Sequence, residues 1–112
     1  MSLLAQAIAR QEGFGKQGAV PTVNHNPGDL EHAPGEMHTT SNPIGSFATD
    51  DEGWAALDRQ LSIYASRGLT IAAMVAIYAP PTENDSAQYL ANVCAFAQCS
   101  PQVLVSAVLA RG

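Results

Sequence analysis

Apolar positions in the first twelve residues recur at helical spacing. Leu4 and Ile8 stand at i and i+4, and Glu12 falls on the same stripe at i+8. Gly13 follows at once, the residue type that most often closes a helix in the left-handed conformation. Asp50-Asp51-Glu52 supplies caps and negative charge for a second helix, in which Trp54, Leu57, Leu61 and Tyr64 repeat before Gly68. Thr70 can cap a third, with Ile71, Met74, Val75 and Tyr78 on its buried face and Pro80-Pro81 ending it. Asn84-Asp85-Ser86 starts a fourth, with Tyr89, Val93 and Phe96 inward. Ser100-Pro101 reads as a cap with proline at the first helical position, opening a last helix that runs to about Arg111.

Residues 13–49 differ in kind. They hold most of the Gly and Pro and all three histidines, and they show no helical period. Turn signals occur at Asn26-Pro27-Gly28-Asp29, Ala33-Pro34-Gly35-Glu36 and Asn42-Pro43. Between them lie short candidate strands, Asp29-Leu30-Glu31, Met37-His38-Thr39 and Ile44-Gly45-Ser46-Phe47. The expected architecture is therefore α+β and mostly helical: about five helices, with a small antiparallel sheet flanking a cleft. No repeat, low-complexity tract or linker divides the chain, so residues 1–112 read as a single domain.

Composition narrows the function classes. With 112 residues, 46% of them apolar and 13% charged, the chain can bury a core without metal or disulfide staples. A net charge of −5, with Arg10, Lys16, Arg59, Arg67 and Arg111 scattered, argues against nucleic acid as a partner. No basic n-region with a long apolar run precedes the first helix, and the apolar stretch Ile71 to Pro81 is too short to span a bilayer. The expectation is a protein made in the cytoplasm without a signal peptide or membrane insertion. Cys94 and Cys99, five apart, can bridge only if their helix breaks near Ala97; two free, largely buried thiols are expected.

Glu12 is the most informative residue. A carboxylate at the end of a helix and facing inward has its charged form disfavoured by burial, which raises its pKa toward the range of a general acid at neutral pH. The competing reading is a surface Glu in a last turn that happens to lie on this face. Glycosidases commonly add a second carboxylate. Asp29, Glu31, Glu36, Asp50 and Asp51 are the candidates, and Asp29 is the best placed; it is equally an Asx-type turn residue, and Asp50 and Asp51 read foremost as caps. His25, His32 and His38, with Glu31 or Glu36, match no compact zinc-ligand spacing, so no metal and no cofactor is expected. No G-x-S-x-G elbow is present.

Three segments in order, Ile8-Ala9-Arg10-Gln11-Glu12-Gly13, Asn26-Pro27-Gly28-Asp29-Leu30 and Tyr78-Ala79-Pro80-Pro81-Thr82-Glu83-Asn84-Asp85, together with Gly53-Trp54-Ala55-Ala56-Leu57, resemble the landmarks of lysozyme-like domains of phages and prophages, in the superfamily of muramidases and lytic transglycosylases. The resemblance runs over nearly the whole chain. It implies cleavage of the β-1,4 bond between N-acetylmuramic acid and N-acetylglucosamine in peptidoglycan, by a monomer acting on glycan strands after delivery to the cell wall by a phage particle, holin-type release or effector secretion. The family's acid falls on Glu12. Relatives often carry Asn where this chain has Asp29, so the sugar's own 6-hydroxyl or N-acetyl group is a second route to completing the reaction.

Candidate substrate-binding residues are Asn26, Gly28, Phe47, Tyr78 and Asn84. Asn26 and Gly28 can present an amide and an open backbone to N-acetyl groups, though both are ordinary turn residues. Tyr78 can stack on a sugar or belong to the core, Asn84 can cap its helix, and Phe47 is more often core than subsite. The alternative function is a non-catalytic, peptidoglycan-binding or virion-structural domain.

Overall fold

A computed structural model of the chain describes residues 1–31, 45–82 and 84–112. Six helices occur among them: α1 (Leu3–Glu12), α2 (Val20–Val23), α3 (Asp50–Ser66), α4 (Ile71–Tyr78), α5 (Ser86–Ala97) and α6 (Val105–Ala110). The ends of most follow from local chemistry. Ser2 Oγ accepts from Ala5 N–H at 3.1 Å to open α1, and Gly13, at φ 88°, closes it. Thr49, Thr70 and Asp85 do the same for the starts of α3, α4 and α5, accepting from Glu52, Ala73 and Gln88. In the last case the cap is Asp85, not Asn84.

The core is aliphatic. Leu4, Ile8, Leu57, Leu61, Ile71, Met74, Val93 and Val105 are wholly buried. Helix α1 packs most extensively against α5, and also against α3 and α6. The inward faces read from the pattern are largely those observed, with Trp54, Tyr78 and Phe96 packed at the rim of the core. No helix among the described residues is long and apolar enough to cross a membrane.

The expected antiparallel sheet is not formed among the described residues; they are all-α, with six helices in place of about five, and show only isolated bridging pairs such as Thr70 with Leu104. The candidate strand Asp29-Leu30-Glu31 fails for a local reason. His25 and Asp29 both adopt positive φ (50° and 52°), which curls the backbone away from an extended path. The Asn26 side chain bonds both the N–H and the C=O of Leu30. Gly45 N–H also donates to the Leu30 C=O at 2.9 Å, and among the described residues this contact does not extend into a ladder. The candidate strand Met37-His38-Thr39 lies outside the described residues.

Two helix boundaries also differ from the pattern. Helix α2 is a single turn around Pro21, too short to carry a period. The last helix starts at Val105 and not at Pro101, because residues 101–104 serve another element. The carbonyls of Pro101 and Val103 accept from Ala72 and Ile71, the otherwise unpartnered N–H groups that open α4. A chain segment that caps a neighbouring helix cannot also wind into its own.

The 25–28 turn is seated directly on α3. A Cβ at Gly53 would run into the His25 carbonyl oxygen and stand 2.7 Å from Pro27 Cδ. A Cβ at Gly28 would stand 2.7 Å from Leu57 Cδ1. Gly53→Ala is therefore an overpacking substitution against backbone, expected to destabilise by roughly 1–3 kcal/mol; urea unfolding of the two proteins measures it, and equal midpoints would refute so close a seat.

Candidate active site

Glu12 ends α1 on the face turned toward α5, and its carboxylate Oε2 accepts a 2.6 Å hydrogen bond from the Tyr89 hydroxyl. The bond crosses the main helix pair of the fold, so its length is held by core packing on both sides. Burial raises the pKa of Glu12; the Tyr89 hydroxyl, by favouring the charged form, opposes the rise, and the charge of Asp29 adds to it. The surface-Glu reading does not describe this residue.

Asp29 stands on the curled loop after Gly28, in the left-handed conformation. Its pKa is raised by burial and then by Glu31, and its Oδ1 is buried with no hydrogen-bond partner among the described residues. The charge of Asp29 raises Glu12, and that of Glu31 raises Asp29. Two partly buried carboxyl groups, both raised in pKa and electrostatically coupled, are candidates for acid–base chemistry.

A cleft of about 390 Å³ opens beside Asp29, lined also by Glu31, Gln60, Tyr64, Tyr78 and Pro80. Glu12 is not among the residues that line it. The connection is made by tyrosines: Tyr78 feels the charges of both Glu12 and Asp29, and Tyr89 those of Glu12, Tyr78 and Asp29. Burial, chiefly, pushes both phenols far above their ordinary value of 10, so both remain hydrogen-bond donors throughout the physiological range. Tyr78 donates to the Gly28 carbonyl and meets Tyr64 edge-on, ring centroids 6.5 Å apart.

The expected binding residues are distributed unevenly around this cleft. Tyr78 forms its wall. Gly28 lies beneath the Tyr78 hydroxyl, where only a glycine leaves room. Asn26 is fully buried; both its amide hydrogens go to backbone carbonyls, Leu30 at 3.0 Å and Gly45 at 2.8 Å, and its Oδ1 takes the Leu30 N–H. It braces the loop that carries Asp29, and its polar atoms are committed to that. Phe47 is 2% exposed and belongs to the core. Asn84 is exposed and donates to the carbonyl of Pro80, which lines the cleft.

Of the other candidate acids, Asp50 pairs with His25 at 2.8 Å, and Asp51 lies in the first turn of α3. Glu36, His32 and His38 lie outside the described residues. Tyr89, Tyr64 and Gln60 were not singled out as site residues by sequence reasoning. Tyr89 carried a usable signal: a tyrosine on the buried face of a helix needs a partner for its hydroxyl, and the only acid on an apolar stripe is Glu12. Tyr64 and Gln60 carried none. Comparison with protein-family models, with curated proteins and with solved structures found no match.

Two measurements check this geometry. Asn26→Ala strips partners from the Leu30 N–H and from the Leu30 and Gly45 carbonyls, and should cost about 3 kcal/mol in chemical denaturation. For Glu12, the folded-state pKa lies above the unfolded one, so the folded state binds more protons between them and loses stability as pH rises from about 4.5 through the raised value. Glu12→Gln should accordingly melt higher than the parent at pH 7, the advantage fading below pH 4.5. A Glu12→Gln protein that melts lower than the parent at pH 7 contradicts the raised pKa.

Proposed function

We propose that this protein is a peptidoglycan-cleaving glycosidase, a muramidase or lytic transglycosylase, in which Glu12 is the general acid for breaking the β-1,4 bond between N-acetylmuramic acid and N-acetylglucosamine. The observation that carries the reading is the state of Glu12: a half-buried carboxyl, raised in pKa, gripped at Oε2 by Tyr89 and biased further toward protonation by Asp29. Protonating a glycosidic oxygen at neutral pH requires a carboxylic acid so disposed. The substrate class rests on the resemblance of the landmarks around Glu12, Asn26-Pro27-Gly28-Asp29 and Tyr78-Ala79-Pro80 to lysozyme-like domains.

In this mechanism Oε1 of Glu12 delivers the proton while Tyr89 fixes Oε2, so the departing sugar receives a hydrogen from a carboxyl that cannot rotate freely. Bond cleavage leaves positive charge at the anomeric carbon. Asp29, as the carboxylate, supplies the negative charge that stabilises it and can activate a water; the sugar's 6-hydroxyl is the internal substitute, giving a 1,6-anhydro product. Tyr78 and Tyr64 offer ring faces and a hydroxyl to the glycan along the cleft wall. The protein acts as a monomer on wall glycan, reaching it through phage, holin-type or effector delivery.

The test is turbidity loss and muropeptide release from purified sacculi. Glu12→Gln should lower the rate by roughly 100-fold or more while sacculus binding persists. Parent protein that binds sacculi but releases no soluble fragments would assign the chain to non-catalytic wall binding instead. Mass spectrometry of the fragments separates reducing-end from anhydro products.

A second expectation follows from the coupling of the two acids. The alkaline limb of kcat/KM reports loss of the Glu12 proton, and removing the Asp29 charge removes one cause of its raised pKa. Asp29→Asn should therefore move that limb to lower pH, whatever it does to the maximal rate. A limb that stays in place would show that the two carboxyls are uncoupled.

A further inference from the structure

The geometry points to Cys94 and Cys99 as a disulfide-forming site at the C-terminal end of α5, closed by a small-molecule disulfide such as oxidised glutathione. The two residues are not in one helix. Helix α5 stops at Ala97, Gln98 turns into the left-handed conformation at φ 53° and ψ 57°, and Cys99 N–H returns to the Cys94 carbonyl at 3.1 Å. In this way of closing a helix, the residue after the reversal folds back over the residue three before the helix's final position, and the two side chains normally make an apolar contact. Here both members of that contact are cysteines, close enough that Cys99 raises the pKa of Cys94. Backbones joined by such a bond lie close enough for the roughly 4.4–6.8 Å Cα separation of a disulfide, which a continuous helix would not allow at a spacing of five.

The surroundings give the pair an order of reaction. Cys99 is partly exposed, whereas Cys94 is buried. Burial and the neighbouring Cys99 push the Cys94 thiol up to about 11, so Cys94 offers a thiolate slowly unaided. Arg111 holds the reversal in place, donating to the Ala97 carbonyl at 2.6 Å and to the Gln98 carbonyl at 3.2 Å.

Closure then proceeds in two exchanges. The Cys99 thiolate attacks glutathione disulfide, forming a mixed disulfide and releasing one glutathione thiolate, which takes up the proton Cys99 lost. Cys94 gives its proton to solvent, and its thiolate attacks the Cys99 sulfur. The Cys94–Cys99 bond forms, the bond to glutathione breaks, and the second glutathione leaves as a thiolate and is protonated. Two protein thiols are oxidised and one glutathione disulfide is reduced to two thiols.

The experiment uses the full chain, fully reduced and then incubated with oxidised glutathione at about pH 8. Intact-mass and peptide analysis of the parent should show loss of two hydrogens, a Cys94–Cys99 linked peptide, no retained glutathione and no thiol alkylated after denaturation. Cys94→Ser should stop at a stable glutathione adduct on Cys99; Cys94→Ala, which keeps an apolar group in the buried position, should stop there too and guards against a folding defect. Parent protein that keeps both thiols alkylatable, or that accumulates the glutathione adduct without proceeding to the linked peptide, overturns the proposal and leaves the pair as an apolar helix closure only.

Discussion

The absence of a side chain at Gly53 lets the 25–28 turn lie flat on α3, and the candidate site is built outward from that contact. With the His25 carbonyl and Pro27 resting on Gly53, Gly28 comes against Leu57 and beneath the Tyr78 hydroxyl, where again no Cβ fits. The turn is thereby clamped between α3 and the end of α4. Asn26, driven fully inside, has no water to satisfy its amide and bonds to the Leu30 and Gly45 backbones instead. What projects from the clamped turn is Asp29, in a left-handed conformation that an unbraced aspartate would seldom hold. A close backbone approach, a buried amide and a constrained carboxylate are successive consequences of one contact.

The second support is the pairing of α1 with α5. It brings Glu12 and Tyr89 together from opposite ends of the sequence and places a phenol, itself unable to ionise in the physiological range, on one carboxylate oxygen. Taken singly, burial would leave Glu12 an indifferent buried acid. Tyr89 fixes one of its oxygens and Asp29 biases its proton, so position and protonation are controlled from different elements, α5 and the 26–30 loop. That division of labour is what makes the site chemically interpretable.

Helix ends do more here than terminate helices. The segment before α6 gives its carbonyls to the start of α4, and the reversal after α5, held by the Arg111 guanidinium, brings Cys99 N–H back to the Cys94 carbonyl. In a chain this short, orphan backbone groups are a large fraction of all polar groups to be satisfied, so capping segments become structural connectors between helices.

Five of the six helices were legible in the chain because their determinants are local: apolar spacing, a Ser, Thr or Asp cap, a glycine stop. The same locality made Glu12 conspicuous, since an acid on an apolar stripe before glycine is a contradiction visible within twelve residues. The reading failed where residues answer to distant partners. Asp29-Leu30-Glu31 has the composition of a short strand, but Asn26 takes much of its hydrogen bonding, and among the described residues no strand forms. Pro101 has the signature of a helix start, but its carbonyl is claimed by α4. Phe47 and Asn26 carry side chains suited to a sugar site, and packing sends both inside. Tyr89 reads as one more apolar position until α1 delivers a carboxylate to its hydroxyl. Spacing along a chain records which face of an element is apolar; it holds no record of which polar group will be waiting on the other side, because that depends on how the elements pack.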